Sequence, residues 1–185
     1  MSNLTDFFPS GGGGGLKPKF QEFNASGTFT PSQALIDAGG YIEVFLVGGG
    51  GSENYANYSG GGGEVLMKKY YLTNTNPCTV TIAASVTESA GASSSFDGSN
   101  SGGVLLTAKG GSQAGQQSLL MGAGWSGSIH NSWPTSGGSG TLGYGAGGST
   151  GGNQNWGGVI TGAPNSGQGA NGASGSGYCL IKWYE

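Results

Sequence analysis

Cys78, Cys179 and His130 are the groups in this chain whose types could pair as nucleophile and base. A reactive thiolate needs electropositive surroundings, and both cysteines stand among apolar, strand-like neighbours, where buried free thiols are the ordinary outcome. A disulfide between them requires their two strands to be neighbours. The acids Glu43, Glu53, Glu64, Glu88 and Asp97 are spread along the chain, with no matched pair of the kind a glycosidase holds across a cleft. One histidine and two cysteines are too few for a transition-metal centre, and calcium on loop oxygens, for example near Asp97 and Asn100, is the remaining metal reading. Glycines follow a strand, yet no Lys-Ser or Lys-Thr pair and no helix comes after them, so a phosphate cradle is not expected. The expectation is a protein that is not an enzyme, with no catalytic residue, cofactor or metal.

What remains is recognition chemistry. Tyr55, Asn57 and Tyr58 lie between two glycine runs; Trp125, His130, Asn131 and Trp133 form a second group; Tyr144, Asn153, Gln154, Asn155 and Trp156 form a third. Aromatic rings stack and neutral amides bond hydroxyls, a pairing suited to carbohydrate or protein surfaces. The competing structural role for each tryptophan is to plug the side of a thin glycine layer, and Trp183, near the end of the chain, belongs to a core or an interface.

These groups need a frame. The chain has 185 residues, enough for one domain with a core, or one domain and a docking tail. Forty-three residues are glycine and charged residues make up only 8%. All six basic residues are scattered lysines, and residues 110–181 carry no formal charge apart from His130, which argues against nucleic acid. No apolar run is long enough for a membrane-spanning helix. Residues 1–16 lack the basic start and apolar middle of a secretory signal, so export by the usual route is not expected.

Short segments rich in β-branched and aromatic residues read as strands at 28–30, 41–47, 65–72, 78–83, 104–108 and 178–184. In 41–47, Ile42, Val44 and Leu46 share one face while Tyr41, Phe45 and Val47 make the other largely apolar, which predicts a central strand covered on both sides. In 178–184, Cys179, Ile181 and Trp183 share a face opposite Lys182. A single helical turn is expected at 32–38, after Pro31. The closing strand means that the chain returns to its own sheet after a long charge-free excursion, as in a sandwich with an insertion.

Glycines fill 48–51 directly after one strand and 60–63 directly before the next, and recur in pairs from Gly110 onward, without a collagen triplet. Two readings stand side by side. They are flexible loops, or they are extended helices of three residues per turn that bond to one another where no side chains intervene.

The ordered set Gly27-Thr28-Phe29-Thr30-Pro31, Ile42 to Val47 with its four glycines, Gly60 to Val65, Thr79 to Ala83, Ser94-Ser95-Phe96-Asp97-Gly98, Leu106 to Gly111 and Tyr178 to Glu185 resembles the glycine-rich domain of bacteriophage tail and tail-fibre proteins. A similar combination occurs in the extracellular glycine-rich domain of certain receptor kinases. Ala83-Ala84-Ser85 departs from the Gly-Ala-Gly usual there, and the glycine runs are shorter than in long adhesins. The resemblance implies an all-β, jelly-roll-like sandwich over 20–185 with glycine-rich insertions forming polyglycine II helices, the largest at about 110–177. It makes residues 1–19 a virion-docking arm with a glycine hinge, in which Leu4, Phe7, Phe8 and Pro9 meet other virion proteins. It also implies a homotrimer in the virion, made in the host cytoplasm, contacting a host glycan or outer-membrane protein through Tyr55, Asn57, Tyr58, Trp125, His130, Asn131, Trp133, Tyr144, Asn155 and Trp156. A capsid decoration or tail-connector protein is the alternative, and a secreted lectin-like domain stands behind both.

Overall fold

The computed structural model describes residues 15–52, 60–113, 164–170 and 172–185. Among these residues eight strands make two four-stranded antiparallel sheets: β1 (Pro18–Phe23), β2 (Gly27–Phe29), β3 (Tyr41–Val47), β4 (Val65–Tyr71), β5 (Cys78–Thr81), β6 (Ser94–Asp97), β7 (Leu105–Ala108) and β8 (Tyr178–Tyr184). One sheet runs β1-β8-β3-β4 and the other β2-β5-β6-β7. The fold is an all-β sandwich.

Alternation builds the core. Ile42, Val44 and Leu46 of β3 and Cys179 and Ile181 of β8 point inward from the first sheet, against Phe29, Cys78, Val80, Phe96, Leu106 and Ala108 from the second. Such interdigitation of two inner faces is what holds a sandwich. Trp183 packs edge-on to Phe29, with ring centroids 5.2 Å apart, so it serves the core as its strand position predicts. On the other side of β3, Phe45 and Val47 join Tyr178, with Val65 and Leu180 alongside, in a second small cluster. The outer face of β3 is thus buried at its Val47 end, while Tyr41 and Glu43 are half-buried.

The helical turn is α1 (Gln33–Asp37), one residue shorter at each end than 32–38. Ser32 caps it, its hydroxyl accepting from the Leu35 amide at 3.0 Å, as a serine before a helix does. Leu35 is fully buried, which pins the turn to the core. The turn ends at Gly39 and Gly40, both at positive φ, where glycine carries no steric penalty.

Two strands were not among those expected. β1 begins with proline and contains charges, yet it pairs along its length with β8, from Pro18 with Tyr184 to Phe23 with Cys179. The sheet therefore begins at Pro18, inside the segment assigned to the docking arm. β6 is two serines, a phenylalanine and an aspartate, held as a strand between β5 and β7. Tertiary pairing overrides weak local propensity in both.

Candidate functional site

The described glycine runs at 48–51, 60–63 and 110–111 meet at one pole of the sandwich. β3 leads into it at Gly48, β8 leaves it at Gly177, and the register sets Val47 opposite both Val65 and Tyr178. The neighbouring segments of the second sheet arrive at the same place, since the Gly177 amide donates to the Ala83 carbonyl at 2.9 Å.

Hydrogen bonds within this layer repeat every third residue. The amides of Gly48 and Gly51 donate to Glu64 and Gly61; those of Gly49 and Ser52 donate to Ala92 and Ser89; that of Gly50 donates to Gly175. The next segment behaves alike, with Gly60 and Gly63 donating to Ala170 and Gly167, and Gly61 and Glu64 donating to Ser112 and Lys109. A strand would direct its amides to two sides; three directions in rotation are the signature of an extended helix with three residues per turn. The flexible-loop reading therefore does not hold for these runs.

Glycine is required here for close approach rather than for unusual backbone angles. None of the residues at 48–51 lies in the left-handed region. A Cβ on Gly50 would stand 1.9 Å from the Gln168 carbonyl oxygen, and one on Gly111 would stand 1.9 Å from that of Gly61. Backbone groups thus satisfy each other without side chains between them, which is what buried amides need. Serine hydroxyls finish the job at the margins: Ser94 accepts from the Ala83 amide at 3.1 Å, and Ser174 from the Val86 amide at 3.1 Å. Ala83-Ala84-Ser85 is accommodated at this margin, with Ala83 buried.

The layer also anchors the segments that carry the recognition candidates. Residues 53–59 leave after Ser52 and return at Gly60; residues 114–163 leave after Gln113 and return at Pro164. Ser52 is held by Ser89 and its hydroxyl donates to the Gly172 carbonyl. Gly60 donates to Ala170 at 3.1 Å, and Ala170 donates to Gly51 at 3.1 Å. So Gly51, Gly60 and Gly61, at the roots of the first excursion, are joined to Ser112, at the outgoing root of the second, and to Ala170. Tyr55, Asn57 and Tyr58, and Trp125, His130, Asn131, Trp133, Tyr144, Asn155 and Trp156, lie outside the described residues, as do Leu4, Phe7, Phe8 and Pro9.

The N-terminal segment enters at the opposite pole. Lys17 and Glu185 exchange backbone hydrogen bonds at 2.7 and 3.1 Å, continuing the β1–β8 ladder beyond Pro18. Glu185 also binds the side chains of Ser32, Trp183 and Lys19 there. A seven-residue strand such as β3 separates the two poles by about 20 Å.

Cys78 and Cys179 are free and buried. Burial pushes the Cys179 thiol up to about 12 and raises that of Cys78 as well. The Asp97 carboxylate accepts from both the amide and the hydroxyl of Ser99, which hold it below its ordinary value. Asn100 offers its carbonyl to the Asn76 side chain at 2.9 Å.

One feature escaped the sequence reading. A groove of about 300 Å³ lies at the Lys17 pole, lined by Pro18, Phe20, Glu43, Lys182 and Tyr184 among others. Its residues come from three strands, so no local pattern marks it. No protein-family model matches the chain, and no curated protein matches it either.

Proposed function

We propose that this chain is a non-enzymatic virion protein of the phage tail or tail-fibre kind, with its glycine layer serving as a rigid base for loops that contact the host surface. The observation that carries the reading is the convergence of both loop roots in one hydrogen-bonded layer, at the pole away from the N-terminal segment. Binding residues tend to sit on loops held by a stiff scaffold. A layer without side chains brings loop ends closer together than ordinary strands can. The polarity suits a part that docks through Leu4, Phe7, Phe8 and Pro9 and faces outward with its loops. The virion assignment itself leans on the resemblance of the ordered glycine and strand motifs. The non-enzymatic part leans on the buried thiols and on the scatter of the carboxylates along the sequence.

The test is a particle assay. Trp125, Trp133 and Trp156 are replaced together by alanine, and adsorption of assembled particles to host cells is measured. Lost adsorption with unchanged particle composition supports the reading. Unchanged adsorption removes the recognition role and leaves a capsid decoration or connector protein, which antibody labelling on the particle would locate.

A further inference from the structure

Among the described residues the first sheet has two uncovered edges, and they complement each other. In β1 the ladder to β8 uses Lys17, and by alternation Lys19, Gln21 and Phe23, for hydrogen bonding. The amides and carbonyls of Phe20 and Glu22 therefore face outward from the edge. In β4 the bonds from Gly48 to Glu64 and from Leu72 to Gly40 set the even-numbered residues toward β3. The backbone groups of Met67, Lys69 and Tyr71 accordingly face outward on the other edge. Among the described residues no strand covers either edge.

We infer that this chain associates with a second copy of itself by antiparallel pairing of the β1 edge of one copy with the β4 edge of the next. The register that pairs Phe20 with Tyr71 places Glu22 opposite Lys69. All four side chains then fall on the same outer face of the continued sheet, because opposed residues share a face. Phe20 and Tyr71 are large rings, 69% and 66% exposed. Glu22 is exposed. Lys69 is held 3.1 Å from Glu43 of its own sheet and retains donors for a second carboxylate. Shifting the register by two residues sets Glu22 against Met67 or Tyr71 and loses the charge match.

Direction also fits. The strands of this sheet alternate across β1-β8-β3-β4, so β4 of one copy meets β1 of the next antiparallel when the copies are related by rotation about an axis along the strands. Such a head-to-tail contact closes into a ring or continues as a filament. The groove beside Phe20 and Lys182 would then be walled on its open side by Tyr71 of the neighbour. This inference is independent of what the glycine-layer loops bind.

The experiment is mass measurement by light scattering on the full chain over a concentration series. The expected result is a concentration-dependent oligomer, weakened about tenfold or more in dissociation constant by Glu22→Lys or by Lys69→Glu, and restored by the two together. Phe20→Pro, which removes an outward amide and leaves the β1–β8 ladder intact, should also weaken it. Circular dichroism checks that each variant is folded. A monomer at every concentration overturns the inference, as does an oligomer indifferent to both charge reversals or one lost only on deleting residues 1–14.

Discussion

The Gly61 amide donates to the Ser112 carbonyl at 2.9 Å, and this bond ties the root of one excursion from the sandwich to the root of the other. Nothing in the sequence places these residues together. Gly61 precedes β4 and Ser112 follows β7, elements of different sheets. The glycine layer is where the two sheets share a backbone network, and its bonds run across the sandwich as well as along it.

Crowding in that layer makes it intolerant of a single methyl group. Gly50→Ala and Gly111→Ala should each destabilise the fold by about 3 kcal/mol or more, because the new Cβ meets fixed backbone rather than a mobile side chain. Gly15→Ala, whose Cβ meets nothing within 4 Å, should be close to neutral. Thermal or denaturant unfolding separates the two outcomes, and equal stability of all three variants would contradict the packed layer.

Both cysteines should be silent in the native protein. Cys179, with its thiol pushed up to about 12, carries essentially no thiolate at pH 8, and Cys78 is raised in the same direction by burial. Alkylating reagent should label neither residue under native conditions and both in guanidinium. Mass spectrometry reads the result; fast native labelling of either thiol would show that the core around it opens.

Glu185 links the end of β8 to α1. The Ser32 hydroxyl, the Trp183 ring N–H and the nearby Lys19 hold its carboxyl below the ordinary value. A depressed carboxyl contributes stability above its unfolded value and loses it as pH falls through the folded one. Stability should therefore decline from about pH 4.5 downward, and Glu185→Gln should flatten that part of the profile. Trp183 fluorescence during denaturant unfolding at several pH values measures it. An identical acid limb in the variant would assign the decline to other groups.

Phe29 is the aromatic hub between the sheets, contacting Trp183 edge-on and Phe96 at 6.5 Å between centroids. It is only 1% exposed. Phe29→Ala should cost about 3–5 kcal/mol, the usual range for emptying such a site. Urea unfolding gives the value, and a loss below about 1 kcal/mol would mean that the two sheets do not depend on this contact.

Much of the sandwich was legible because its signal is local. The alternation in Tyr41–Val47 and Tyr178–Tyr184 gave those strands their bounds and inner faces, and Pro31 marked the approach to α1. β1 and β6 were hidden because Pro18, Lys19, Glu22 and the serines of β6 carry little strand preference; their pairing with β8, β5 and β7 makes them strands. The groove was hidden for the same reason, since Phe20, Glu43 and Lys182 meet only through register.

The glycine runs divide the two levels most clearly. Composition and position determined that segments after Val47 and before Val65 had no side chains to pack, and alternation determined which strand faces were apolar. A run of glycine has no preferred partner of its own, so sequence left loop and packed helix equally open. Only the tertiary structure decided between them. Once the two sheets are fixed by their core, their ends bring several bare backbones within hydrogen-bonding distance, and each amide finds its acceptor on a different neighbour.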